Sequence, residues 1–342
     1  MAVRAFITGL SGLAISDGER AFLRDAQPWG LILFKRNVDT PEQVKRLTQT
    51  FRDLVGRDAP VLVDQEGGRV QRLGPPHWPK YPPGAAYGEI YDRDPAAGME
   101  AARLGARLIA DDLRPLGIDV DCLPVADVPA AGSDAVIGDR AYGDTPAKVA
   151  ALAGAAAEGL LSGGVLPVVK HIPGHGRARA DSHKMLPVVD AGRAILEASD
   201  FAAFRPLAKL PLGMTAHVVF SAIDPVAPAT TSAIMVRDVI RGAIGFTGLL
   251  MGDDISMGAL SGSLAERVRA SIAAGCDLVL HCNGEMAQMR EVADATPVLE
   301  GEAARRAQAA LARRAKPDSF DIVAARSRFA AMMGNAAGVA VS

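Results

Sequence analysis

TPAKVAALAGAAAEGLLSGGVLPVVKHIPGHGRARADSH, residues 145–183, contains one complete unit of the fold. Thr145-Pro146 opens a helix, since proline lacks an N–H and the first turn does not need one. The Ala- and Leu-rich run that follows reaches about residue 161, and Gly163 stands where a left-handed cap would end it. Residues 166–169 are then short and wholly apolar, as in a parallel strand covered on both faces. At the end of that strand the chemistry changes: Lys170, His171, His175, Arg177, Arg179, Asp181 and His183 follow in quick succession.

The same alternation runs through the rest of the chain. Apolar runs at 5–8, 30–34, 60–63, 118–123, 166–169, 213–216, 249–251 and 277–280 predict eight strands. Amphipathic stretches at 40–55, 96–116, 145–161, 194–207, 232–244, 264–274 and 285–293 predict helices, with 302–314 as a terminal helix. In the stretch from 40, Thr40 caps, Pro41 fills the first turn and Gln43 completes a capping box. Gly117, Gly163, Gly245 and Gly275 are expected as left-handed helix ends. No GxGxxG follows the first strand, which argues against an open dinucleotide-binding sheet. The expected fold is α/β: a single (β/α)8 TIM barrel domain over 1–342 with a C-terminal helical tail.

Composition narrows the function. A chain of 342 residues, 49% hydrophobic, suits one barrel with insertions. Its 37 basic and 39 acidic residues give a net charge of −2 with no block of one sign, so nucleic acid is not an expected partner. Cys122, Cys276 and Cys282 are odd in number and lack CxxC spacing, so they read as buried thiols in a reducing compartment. The first apolar run lacks a clear cleavage site, and no stretch is long enough for a membrane span. A cytoplasmic monomer without membrane contact is expected.

Residues just past the strand C-termini build the active site in such barrels. After the third strand stand Asp64-Gln65-Glu66-Gly67-Gly68-Arg69 and then Arg72; Arg140 lies in the loop after the fourth. The sixth strand ends in Thr215-Ala216-His217, the seventh in Asp253-Asp254 and the eighth in His281-Cys282-Asn283. Five of six histidines (His171, His175, His183, His217 and His281) fall at this rim, and only His77 does not. A lone histidine is usually structural, but five at one rim point to chemistry. Lys170 would be costly if buried unpaired. The PGHG turn suits a loop that moves. Asp181 and His183 are two apart, so in an extended segment the carboxylate can reach the ring, favour its protonated form and fix its tautomer. A surface capping segment is the plain alternative. Adjacent strand residues face opposite ways, so only one of Asp253 and Asp254 is expected to face the site, and periodicity does not say which.

VDQEGGRVQRL (63–73), KHIPGHGRARADSH (170–183), MTAHVVF (214–220), PATTS (228–232), GDDISM (252–257) and AAGCDLVLHCN (273–283) together resemble the family 3 glycoside hydrolases. The compact bacterial β-N-acetylglucosaminidases of cell-wall recycling in that family are the nearest in form. The resemblance implies Asp253 as nucleophile with Asp254 in support, and His183 as general acid/base with Asp181 as its partner. It further implies Asp64, Arg72, Arg140, Lys170 and His171 as sugar contacts, a carbohydrate or muropeptide substrate, and no metal or other cofactor. Two positions depart from the pattern. Gly252 replaces the usual serine, with loss of a hydrogen bond, and Arg177 and Arg179 stand where small or apolar residues are common. These arginines are read either as attracting an anionic muramyl-peptide portion or as solvated loop residues. A metal-dependent hydrolase using His171, His175, His183, His217 and Asp253 is a rival reading, opposed by the lack of an HxH pair after the first strand. A non-catalytic sugar-binding barrel and a β-glucosidase are the others.

Overall fold

The computed structural model describes residues 2–182 and 184–337, in which eight parallel strands form a closed barrel. The strands are β1 (Arg4–Thr8), β2 (Pro28–Leu33), β3 (Val61–Val63), β4 (Val120–Asp121), β5 (Leu166–Ile172), β6 (Leu212–Thr215), β7 (Leu249–Asp254) and β8 (Leu278–His281). Each pairs with its neighbour in sequence, and β8 closes on β1. All eight apolar runs are strands. Period-two alternation sorts their side chains: Ile7, Ile32, Leu62, Val120, Val168, Met214, Met251 and Leu280 share one cluster inside the barrel. Their neighbours Phe6, Leu31, Val63, Val169, Leu250 and Val279 pack outward in a second cluster with the surrounding helices. Cys122, Cys276 and Cys282 are buried free thiols.

Several local details differ from the sequence reading. Thr40 accepts the Gln43 N–H, but the Gln43 side chain accepts the N–H of Asp39 instead of Thr40, so the box is displaced by one residue. Gly117, Gly245 and Gly275 take positive φ, whereas Gly163 stays right-handed and Gly164 makes the left-handed turn. The stretch at 194–207 splits into Arg193–Ala198 and Asp200–Phe204, because Ser199 leaves helical geometry and its hydroxyl bonds both the Ile195 carbonyl and the Asp200 carboxylate. Met235–Ala243 winds as a π-helix. Asp17–Ala26, Gly84–Arg93 and Ile322–Ala337 are helices not predicted; the first has a full Ser16/Glu19 capping box that its sequence displayed.

The tail comprises Gly301–Leu311 and Ile322–Ala337. Ala307 and Ala310 join the cluster inside the barrel, so the first tail helix covers the end opposite the strand C-termini. Among the described residues no helix is long and apolar enough to cross a membrane. Asp277, just before β8, ties this end together. It accepts Arg241 at 2.8 Å and the Leu250 N–H at 2.9 Å on one oxygen, and Arg306 of the tail at 2.7 Å on the other. Removing this buried carboxylate takes the charged partner from Arg241, one of two from Arg306, and the acceptor from the Leu250 N–H. Asp277→Ala is therefore expected to lower unfolding free energy by about 3 kcal/mol in urea titration, against near-zero change for an exposed control such as Asp53→Ala.

Candidate active site

At the C-terminal end of the barrel, Asp64, Arg72, Arg140, Lys170, His171 and Asp253 all line one cavity of about 440 Å3. Asp181 lies outside that lining, on a partly exposed stretch, and His183 lies outside the described residues. The cavity wall is completed by Phe34, Ile32, Met214 and Leu280, so an apolar surface faces polar groups, as a sugar ring requires.

The polar side is a chain of ion pairs. Asp64 follows β3 and Glu66 stands two residues on, so both carboxylates project to the same side. Lys170, near the end of β5 and only 2% exposed, places Nζ 2.8 Å from Asp64 and 2.7 Å from Glu66. Arg72 meets Asp64 at 2.9 Å, while Arg140 grips Glu66 through two bonds of 2.8 Å. Burial pushes both carboxyls up, but Lys170 and the arginines outweigh it and hold them below the usual carboxylate range. Burial likewise pulls Lys170 down and is outweighed by Asp64 and Glu66, leaving the ammonium above its ordinary value. Three cations against two anions leave the wall positive. The sequence reading singled out four of these five side chains and missed Glu66. The i, i+2 spacing from Asp64 was the available signal.

β7 ends in Gly252-Asp253-Asp254, and its pairing with β8 slips there. Met251 lies opposite Leu278 but Asp254 opposite Leu280, three residues against two. The slip breaks strand alternation, so both aspartates line the cavity, correcting the expectation that only one would. Their surroundings distinguish them. Asp254 accepts the N–H of Ser256 and of Cys282 on one oxygen and the Ser256 hydroxyl on the other. Asp253 accepts the Asp254 N–H at 2.7 Å. Burial raises the Asp253 carboxyl, and His171, His217, that N–H and Lys170 together bring it below its ordinary value. Burial itself pulls His217 down, so near neutral pH the lasting contributions include the Asp254 N–H and Lys170.

His217 is fixed by its partners. The Asp254 carbonyl, 3.0 Å from Nε2, can only accept, so Nε2 carries the hydrogen and Nδ1 accepts from the Thr230 hydroxyl at 2.7 Å. Thr230 also explains Gly252. A Cβ at residue 252 would lie 2.9 Å from the Thr230 methyl, so that methyl occupies the space a serine side chain would need.

Behind the cavity, Asp127 is wholly buried and was not foreseen. Its carboxylate lies 2.6 Å from His171 Nδ1 and accepts the His175 N–H at 2.6 Å. Burial works against its ionised form, but His171 outweighs this and brings the carboxyl down to about 2. The PGHG turn is consequently packed, not free: residues 171–176 are buried and Gly176 lies against the Val128 carbonyl. Arg177 is not a free loop residue: half-buried, it bonds the buried Asp200 at 3.0 and 3.1 Å and Ser199 at 2.8 Å. Arg179 is exposed. Among the described residues, no three His, Cys, Asp or Glu side chains are grouped to hold a metal ion.

The chain matches the glycosyl hydrolase family 3 N terminal domain over residues 3–314. A beta-hexosaminidase of Alkalilimnicola ehrlichii is 39% identical over 305 residues, 87% of each chain. A beta-hexosaminidase of Neisseria gonorrhoeae is 40% identical over 281 residues, 80% of this chain and 76% of that one. Among solved structures, NagZ from Neisseria gonorrhoeae in complex with N-trifluoroacetyl-D-glucosamine superposes with a TM-score of 0.84 at 33% identity, covering 99% of this chain and 98% of that chain. A family 3 β-N-acetylglucosaminidase from a Paenibacillus species gives 0.80 at 30% identity, covering 99% of this chain and 63% of the other. With the match spanning the whole barrel, this chain belongs to the family 3 glycoside hydrolases.

Proposed function

We propose that the enzyme is a retaining exo-β-N-acetylglucosaminidase that removes terminal β-linked N-acetylglucosamine from muropeptides in peptidoglycan recycling. In this reading it works as a cytoplasmic monomer and its chemistry draws on side chains alone. One observation carries the proposal: the Asp253 carboxylate, held ionised, shares a single-sugar-sized cavity with Asp64, Arg72, Arg140, Lys170 and His171. The kinship to proteins described as beta-hexosaminidases, and to a NagZ that binds an N-acylated glucosamine, supports the sugar specificity.

The reaction runs in two displacements. Asp253 attacks the anomeric carbon as His183 gives a proton to the glycosidic oxygen; the C–O bond to the aglycone breaks and a glycosyl-aspartate ester forms. His183, now neutral, takes a proton from water, whose oxygen displaces Asp253 and restores the original configuration. An imidazole at its ordinary pKa is only about a quarter protonated at pH 7, so Asp181 serves to raise that fraction. The cations of the wall donate to hydroxyl and acetamido oxygens, and Asp64 accepts from hydroxyls.

Trapping the ester with a fluorinated N-acetylglucosaminide should place the label on the peptide containing Asp253; a label elsewhere refutes the assignment. Asp253→Asn should reduce turnover of an aryl β-N-acetylglucosaminide by about 10⁴-fold or more. His183→Ala should lose about 10²–10⁴-fold with poor leaving groups and far less with good ones. Glu66→Gln leaves Lys170 and Arg140 short of one negative charge, so kcat/KM should fall roughly 10–100-fold, chiefly through KM. Unchanged KM would remove Glu66 from the binding wall. Faster cleavage of the matching glucoside than of the N-acetylglucosaminide would reassign the specificity.

A further inference from the structure

The loop between β5 and the Arg193–Ala198 helix contains two polar residues that the mechanism above leaves unused, His175 and Ser182. Its first part is held on two sides. The Gly176 carbonyl accepts the Ala130 N–H, the Ala178 carbonyl accepts the Asp134 N–H at 2.8 Å, and Arg177 is bound to Asp200. Residues 179–181 then pass outward, with Arg179 exposed, and the chain returns at Ser182, which is 3% exposed. There the Ser182 hydroxyl lies 2.9 Å from His175 Nε2, closing the excursion on itself.

Among the described residues His175 Nδ1 is buried without a hydrogen-bond partner, so the bond to Ser182 is the one hydrogen bond the ring makes there. Ser182 is also held from the β7 side, where its carbonyl accepts the Ala259 N–H at 3.2 Å. Ser182 is thus fixed both to the β5 loop and to the loop that follows Asp253. Positions 181 and 183 flank this doubly held residue. At the other end, the Asp127 carboxylate receives the His175 N–H and the ring of the cavity-lining His171.

We propose that His175 and Ser182 are positioning residues of the glycosidase: their hydrogen bond seats the segment bearing Asp181 and His183 opposite Asp253, and Asp127 anchors that seat to the sugar-facing His171. The proposal rests on the acid/base assignment made under Proposed function. It accounts for the pairing of PGHG with DSH in one motif, since the histidine of the first is hydrogen-bonded to the serine of the second.

A seat for the proton donor predicts a defect that scales with the need for a proton. We expect Ser182→Ala and His175→Ala each to lower kcat/KM on phenyl β-N-acetylglucosaminide by about 10–100-fold, a fraction of the whole acid/base contribution, with less than about threefold loss on the 2,4-dinitrophenyl analogue. Ser182→Thr, which retains the hydroxyl, should return to within about threefold of wild type on both substrates. Equal losses on the two substrates, or none, overturn the proposal, and either end of the bond suffices for the test if one variant does not fold. His183→Ala, run alongside, separates the two assignments. If it shows the leaving-group dependence and the seat variants do not, only the seat is lost. If it lacks that dependence, the acid/base assignment fails and the seat fails with it.

Discussion

A lysine ammonium taken almost wholly out of water near the end of β5 has to be met by negative charge, and the cavity is organised around that demand. Desolvating an ion of this size costs several kcal/mol, more than one partner readily returns. Lys170 has two, Asp64 and Glu66, and these would leave the cluster anionic without Arg72 and Arg140 at its ends. The five groups hold one another in place. Segments far apart in sequence, the DQEGGR turn after β3 and the KH pair in β5, therefore form one rigid device. A buried network of this kind is a poor source of stability, and its value lies in presenting fixed donors and acceptors to a polyhydroxylated ligand.

The same excess of positive charge conditions the far wall. Asp253, proposed as the nucleophile, would have to be ionised yet poorly solvated, two requirements that burial alone sets against each other. Lys170 reaches Asp253 through space and relieves part of the burial penalty without bonding it. Asp254, next in sequence, is occupied by three hydrogen bonds that shape the loop, and its carbonyl fixes His217. Two neighbouring aspartates are thereby given different work by their environments, not by their positions in the chain.

What the sequence made legible follows the range of the forces involved. Strands read correctly because burial on both faces leaves nothing but apolar side chains, a local signal. Rim residues read well because a parallel barrel places every strand C-terminus at one end. The break at Ser199 comes with a side-chain bond to the Ile195 carbonyl and another to Asp200, which propensity does not register. The slip that turns both aspartates inward depends on the register of β8, and Arg177 is committed to a carboxylate from a later helix. Asp127 gave only a faint sign, one carboxylate in the apolar run 122–130, since both of its partners come from β5 and the turn after it. Glu66 was different. Its spacing from Asp64 was visible, and the i, i+2 argument applied to Asp181 and His183 applies equally there.

The histidines sharpen this point. Five at one rim read as a concentration of proton chemistry, yet burial sorts them otherwise. His175 is brought down to about 4, and burial also lowers His217 and His281. Near neutral pH these three are uncharged rings, and His217 has its tautomer set by the Asp254 carbonyl. His217 braces the backbone beside Asp253 and His175 the loop after β5, and a ring that resists protonation is seldom in the form that could donate a proton. A proton carrier needs the opposite surroundings, a carboxylate close by and some access to water. Asp181 is only partly buried and Ser182 beside it is anchored, which suits the part proposed for this segment. Burial of the neutral histidines thus gives them a structural part: the dry rings hold the frame on which the proposed acid/base segment is carried.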